Sequence, residues 1–280
     1  MTEEQTSRPN EAWDAVAPAW EMNRDRIFRA TKAISDRLVE LVDARPGQTV
    51  LELAAGTGET GFLVTGRLGA EGRLISTDFS DAMVAAARRG AAERGLSSVD
   101  CRLMDAQSLD LPDGSVDAVL SRFGLMLVAD PGRALREARR VLRPAGRLVY
   151  AVWGAPDANP WITLLGAAVI ERGHTIGGGA FGAGGMFSLA EPEQNLRLVS
   201  EVGFGGVTVD TCSGAMRTDN IDDYWDFQSS ISGPITVLLD GLPWNERDAV
   251  RAAFRSAAEP FRMGVGYELP FEAVIVHATR

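Results

Sequence analysis

Cysteine and histidine are nearly absent from this chain. Of its 280 residues two are cysteine, Cys101 and Cys212, and two are histidine, His174 and His277. The cysteines lie far apart with no Cys-x-x-Cys spacing, so both read as reduced packing residues of a cytosolic protein. Neither histidine has a second ligand at metal spacing, and no metal site is expected. No apolar run approaches the roughly 18 residues of a membrane span. Met1–Asn10 is polar and carries Glu3 and Glu4, unlike the basic and then apolar start of a secretory leader. Basic residues are in deficit, 28 against 38 acidic, for a net charge of −10. That balance opposes a nucleic-acid partner, which needs a basic field. The arginines of 133–147 recur at helical spacing between Leu135, Ala138, Val141 and Leu142, the pattern of a solvated helix face.

What the chain does contain is organised around Val50–Gly61. The apolar run Thr49–Leu53 has the length and branching of a buried parallel strand. It leads into Gly56-x-Gly58-x-x-Gly61, and an amphipathic segment with Phe62, Leu63 and Leu68 follows. Strand, glycine turn and helix in that order form a ligand-binding βα unit. Glycines are needed where the backbone turns at positive φ and a ligand approaches without meeting a Cβ. Charge then selects among ligands. A dinucleotide pyrophosphate wants a helix start free of carboxylates, but Glu52 ends the strand and Glu59 opens the helix. Two acids repel phosphate and suit a cationic, phosphate-free nucleoside, which points to S-adenosylmethionine.

Along the chain, Glu11–Val42 reads as helical with one interruption at Pro18, after frayed residues 1–10. This arm carries Trp13 and Trp20 and either docks on the sheet or roofs the ligand site. Arg73–Thr77 is the second strand and ends in Asp78, about 20 residues past the glycines, where an acid binds ribose hydroxyls. Ser80 caps the next helix, and Met83, one turn on, can cover a purine face. Ser98–Met104 ends in Asp105-Ala106, an acid and a backbone N–H suited to an adenine edge. Val116–Leu120 precedes Ser121-Arg122-Phe123-Gly124, Asp130-Pro131 starts a helix, and Arg147–Trp153 is the fifth strand. Strands alternating with helices in this way build a parallel α/β sheet with right-handed crossovers. Beyond it lie an apolar helix Trp161–Glu171, a glycine-rich stretch Gly173–Gly185, a helix Glu191–Glu201 and a strand Gly206–Cys212. The glycine stretch reads as a lid or a plain crossing. A polar and aromatic helical insertion, Asp219–Met263, precedes a last strand, Phe271–Ala278, added antiparallel.

These residues carry a family resemblance. Residues 12–153 resemble a class I S-adenosylmethionine-dependent methyltransferase, similar to the ubiquinone/menaquinone C-methyltransferases. The motifs are Val-Leu-Glu-Leu-Ala-Ala-Gly-Thr-Gly, Thr-Asp-Phe-Ser with Met83, Met-Asp-Ala-Gln, Ser-Arg-Phe-Gly-Leu and Arg-Val-Leu-Arg-Pro-Ala-Gly-Arg-Leu. The resemblance implies a Rossmann-like α/β fold, a seven-stranded, mostly parallel sheet with one antiparallel strand near an edge. It divides the chain into a helical arm 1–46, a cofactor-binding core 47–154 and a C-terminal part 155–280 that finishes the sheet and caps the substrate. It also implies that Gly56, Thr57 and Gly58 pass under the methionine moiety, with Glu52 fixing the turn or the ammonium group. Asp78 would bind the ribose, Phe79 and Met83 the adenine face, and Asp105 and Ala106 its edge. Ser121 would lend its backbone beneath the methionine, and Phe123 would face the reaction chamber. Ala54 and Ala145 stand where the family usually has glycine.

The implied reaction is in-line displacement at the sulfonium methyl by an oxygen, carbon or nitrogen nucleophile. His174 is the candidate base on chemical grounds, although its glycine-rich surroundings equally suit a surface histidine. Trp20, Phe123 and Tyr224 are the substrate-binding candidates, and His277 reads as structural. Aromatic residues in the arm and cap suit a small aromatic or apolar metabolite, in a protein of the cytoplasm that leaves a homodimer open. The competing readings are an NAD(P)-dependent oxidoreductase, which gives Glu52, Glu59 and Asp105 no task, and a non-catalytic S-adenosylmethionine-binding module.

Overall fold

The computed structural model describes residues 9–176 and 184–280. Of residues 1–10, expected to fray, residues 1–8 lie outside the described residues, as does the 177–183 portion of the glycine-rich stretch, while Pro9 and Asn10 already belong to a helix. Five strands alternate with helices through the first half. They are β1 (Thr49–Glu52), β2 (Arg73–Asp78), β3 (Val99–Leu103), β4 (Val116–Arg122) and β5 (Leu142–Trp153). The intervening helices are α2 (Glu59–Leu68), α3 (Asp81–Glu93) and α4 (Pro131–Val141), after a long α1 (Pro9–Val42). Ser80 Oγ accepts from the Met83 amide and the Asp130 side chain from the Arg133 amide, so both N-caps are made.

The sheet order is β3-β2-β1-β4-β5-β8-β6, where β6 is Gly205–Thr218 and β8 is Gly266–Thr279; a two-residue β7 (Arg262–Met263) pairs with β8. β1 to β5 pair in parallel, and β8 runs antiparallel to both β5 and β6. This is the expected mixed sheet, with β7 as an addition. The final strand is longer than Phe271–Ala278 and sits inside the sheet. Phe271, Ala273, Val274, Ile275, Val276 and Ala278 are all buried. A strand that apolar needs cover on both faces, whereas the largely exposed β6 tolerates the edge. The chain leaves β1 toward β2 and β3 and returns to β4 on the other side of β1. The carboxyl end of β1 is therefore the topological switch point, where ligands bind in such sheets.

Pro18 does not interrupt the arm. α1 is one helix through it, because Pro18 lies on an exposed face where the carbonyl left by its missing N–H can take water. Ile34 and Leu38 are fully buried, and α1 packs on α2, α3 and β5. The part expected to cap the substrate contributes α5 (Pro160–Glu171), α7 (Ile221–Ile231), α8 (Pro234–Gly241) and α9 (Trp244–Ala258), while α6 (Pro192–Glu201) packs on β6 and β8. The Trp20 indole donates to the Ile231 carbonyl at 2.9 Å, joining arm to cap. No helix among the described residues is long and apolar enough to cross a membrane.

Candidate cofactor and substrate site

The turn after β1 is built on left-handed backbone. Ala54, Gly56 and Gly58 have φ of 49°, 57° and 88°. Ala54 thus adopts the conformation that favours the glycine it replaces, and Ala145, with φ 63°, repeats the pattern. Gly61 is required by contact, since a Cβ there would collide with the Glu52 carboxylate. Glu52 is tucked under the turn. Its Oε1 accepts from the Gly61 amide at 2.8 Å and its Oε2 from Ser76 Oγ at 3.2 Å. Burial pushes its pKa up to about 8, against the pull of the Gly61 N–H and the Arg122 guanidinium. Of the two roles open to Glu52, the geometry realises the structural one, because both oxygens are used inside the protein.

Glu59 is the second acid of the turn. It is buried at the first position of α2, and its Oε2 accepts from the Thr57 hydroxyl. Its Oε1 has no hydrogen-bond partner among the described residues and meets only the Arg94 guanidinium, 3.6 Å away.

Asp78 is buried at the end of β2 and accepts from the Gly56 amide at 2.8 Å and the Ser80 amide at 3.0 Å. Burial raises its pKa, opposed by the N–H groups of Ser80, Gly56 and Phe79. Phe79 is half-buried and Met83 buried beside it. Asp105 ends β3 exposed, held by the Gln107 amide at 2.8 Å, with Ala106 buried next to it. Gly56, Thr57, Gly58, Asp78, Phe79, Met83, Asp105, Ala106 and Ser121 thus sit on the carboxyl-end side of β1 to β4. Ser121 is fully buried and donates to the Leu53 carbonyl at 3.0 Å, tying β4 to β1.

Phe123 follows β4 with φ 62° and stacks on Trp153, the last residue of β5, with centroids 3.6 Å apart. Trp161 meets Trp153 edge-on at 5.0 Å, and Phe271 meets both tryptophans edge-on. An aromatic wall at the ends of β4 and β5 was not visible in the sequence beyond Phe123.

Two candidates are placed elsewhere. His174 pairs with Glu246 at 3.2 Å, beside the Arg172–Glu246 ion pair. It follows the far end of α5, a helix of 12 residues that carries Trp161 at its start. That helix spans roughly 18 Å, so His174 does not reach the aromatic wall. Tyr224 is fully buried within the cap, and its hydroxyl donates to the Trp161 carbonyl at 2.7 Å. It is a packing residue because its ring stacks on Phe254 and its one polar atom is used. Trp20 bridges arm and cap rather than standing free.

Sequence reasoning also passed over two polar residues. Arg122 donates to Thr31 Oγ1 at 2.5 Å and reaches Ser35 Oγ at 3.4 Å. Burial lowers its pKa, while Glu59 and Glu52 oppose that shift. Asp14 accepts from Ser80 Oγ at 2.5 Å, so the arm closes over the start of α3. Neither has a sequence signal, since both depend on where α1 docks.

Comparison with known proteins agrees with this geometry. Residues 51–150 match the family described as Methyltransferase domain. An uncharacterized 37.1 kDa protein in transposon TN4556 of Streptomyces fradiae is 41% identical over 128 residues, 46% of this chain and 36% of its own length. The ubiquinone/menaquinone biosynthesis C-methyltransferase UbiE of Hydrogenovibrio crunogenus is 33% identical over 149 residues, 52% of this chain. The chain spans 59% of that relative's length. Among solved structures the (4+2)-cyclase SpnF superposes with a TM-score of 0.61 at 21% identity, covering 97% of this chain and 95% of that one, a likeness of fold. A parallel sheet that reverses direction at the glycine turn of β1, with residues 51–150 matching a methyltransferase domain across that same region, gives the chain the Rossmann-like fold of the S-adenosylmethionine-dependent methyltransferases.

Proposed function

We propose that the chain transfers a methyl group from S-adenosylmethionine to an oxygen, carbon or nitrogen nucleophile of a small aromatic or apolar metabolite. Glu59 carries the cofactor half of this reading. A buried carboxylate with an unmet oxygen at the start of α2 suits the ligand's ammonium group and opposes a pyrophosphate. Gly56 leaves the backbone open, with no atom within 4 Å of where a Cβ would stand. An ionised carboxylate accepts about four hydrogen bonds, so Asp78, already bonded to the Gly56 and Ser80 amides, keeps capacity for ribose hydroxyls. Met83 and Phe79 are positioned for the adenine face, and Asp105 with Ala106 for its edge.

The cofactor supplies an activated sulfonium methyl when bound. The chain's own task is to orient the acceptor in line and to keep the site dry. On this reading the core 47–154 holds the cofactor, while the arm 1–46 and the part 155–280 enclose the substrate. The Phe123–Trp153–Trp161–Phe271 wall supports an aromatic or apolar acceptor. The quinone C-methyltransferase among the relatives is consistent with that class. Titration calorimetry with S-adenosylhomocysteine and, separately, NADH tests the cofactor, followed by a methyl-transfer assay on phenols and quinones. Micromolar binding of S-adenosylhomocysteine alone is expected. Binding of NADH alone would refute the reading, and cofactor binding with no transfer to any acceptor would favour a non-catalytic module.

A further inference from the structure

Trp161 combines a rigid frame with an unmet donor. It is 4% exposed, and its indole Nε1 has no acceptor among the described residues. Everything else about the residue is fixed. Its carbonyl accepts from Tyr224 OH at 2.7 Å and from Gln228 Nε2 at 2.9 Å, both on α7. Gln228 Nε2 also donates to Tyr224 OH at 3.0 Å, so the three groups form one closed, buried set. Just before it, Asn159 is fully buried, donates to the Ala155 carbonyl and accepts from the Glu272 amide, which anchors the start of α5. The ring is held edge-on against Trp153 at 5.0 Å and Phe271 at 6.5 Å.

An unmet buried donor is a destabilising feature that native structures rarely retain without a use. This one stands in the wall at the carboxyl ends of β4 and β5, where a ligand of this sheet is expected. A contact of the N–H with a neighbouring ring face is the alternative, and it is much weaker than an ordinary hydrogen bond. We propose that the Trp161 indole N–H is a substrate-positioning donor, which hydrogen-bonds an oxygen of the aromatic acceptor and so fixes which atom faces the methyl group. This rests on the methyltransferase reading above. The donor is preorganised, so an acceptor lacking that oxygen leaves it unmet and binds less well. Phe123, half-buried and stacked on Trp153, belongs to the same wall.

The test uses the full chain with S-adenosylhomocysteine present and two probes, 1-naphthol and naphthalene, which differ by the one oxygen. The wild type is expected to bind 1-naphthol about tenfold more tightly, the worth of one good hydrogen bond. Trp161→Phe should keep its affinity for naphthalene and reduce the preference to within about twofold, a double comparison that isolates the pair. In the wild type, the Trp161 indole proton resonance, assigned through its contacts with Trp153 and Phe271, should move downfield with 1-naphthol and not with naphthalene. That second readout stands if the variant fails to fold. An undiminished preference in Trp161→Phe, an unmoved resonance, or no preference in the wild type, binding of neither probe included, would overturn the proposal. S-adenosylhomocysteine affinity is read separately. If it fails to bind while the oxygen preference persists, the methyltransferase reading falls and the donor role of Trp161 stands.

Discussion

Replacing Glu52 by glutamine removes an ionisable group and changes almost nothing else. The Gln carbonyl can accept from the Gly61 amide, and its NH2 can donate to Ser76 Oγ, which sits 3.2 Å from Glu52 Oε2. In the folded protein burial raises the Glu52 pKa from an ordinary 4.5 to about 8. Between those values the folded state holds a proton that the unfolded state has released. Stability from this group is therefore fully present below about pH 4.5 and is lost as pH rises through about 8. From pH 5 to pH 9 the loss is on the order of 4 kcal/mol for this one group. Glutamine has no such dependence. Urea unfolding of both proteins at pH 5, 7 and 9 reads the effect, and groups common to both cancel in the difference. The stability gap in favour of Glu52→Gln should widen by about 4 kcal/mol toward pH 9. A gap constant to within about 1 kcal/mol would refute the reasoning. It would mean that Gly61 and Arg122 keep Glu52 ionised throughout.

Asp78→Ala removes the acceptor for both the Gly56 and Ser80 amides and the proposed ribose ligand, and should weaken S-adenosylhomocysteine binding by about a hundredfold or more in calorimetry. His277→Ala, near the end of β8 opposite Val149, should stay within about twofold, and equal losses in the two variants would defeat the site map. Ala54→Gly relieves a residue at φ 49° and should raise the melting temperature by about 1–3 °C, whereas a fall would show that the alanine methyl packs usefully. His174→Ala breaks only the contact with Glu246 and should leave the transfer rate within about twofold; a loss of about a hundredfold would restore the residue as a base.

The proposed cofactor half of the site was legible because it is written in local pattern. A buried strand, a glycine turn and a helix follow one another within Thr49–Leu68, and acids close β2 and β3 at Asp78 and Asp105. The substrate half was not. Tyr224 and His174 were attractive for their chemistry, yet one is enclosed by α5 and α9 and the other is held at the distal end of α5. Composition identifies a reactive group but not the direction it faces.

By itself, the sequence determined the parallel five-strand half, the turn at Gly56–Gly61, the acids at the strand ends and the resemblance to methyltransferases. Side-chain periods of 2 and 3.6 residues and the glycine-only backbone angles are properties of neighbours along the chain. Tertiary structure alone decided that β8 enters between β5 and β6, and that α1 continues through Pro18 to cover the start of α3. It also decided that Glu52 serves the turn while Glu59 Oε1 is left without a hydrogen-bond partner, and that Trp161 keeps an unmet donor. The reason is distance in sequence. Glu52 is satisfied by a residue 24 positions away, and the Trp161 carbonyl by residues 63 and 67 away. Whether a polar group is buried, paired or free depends on such partners, and only packing brings them together.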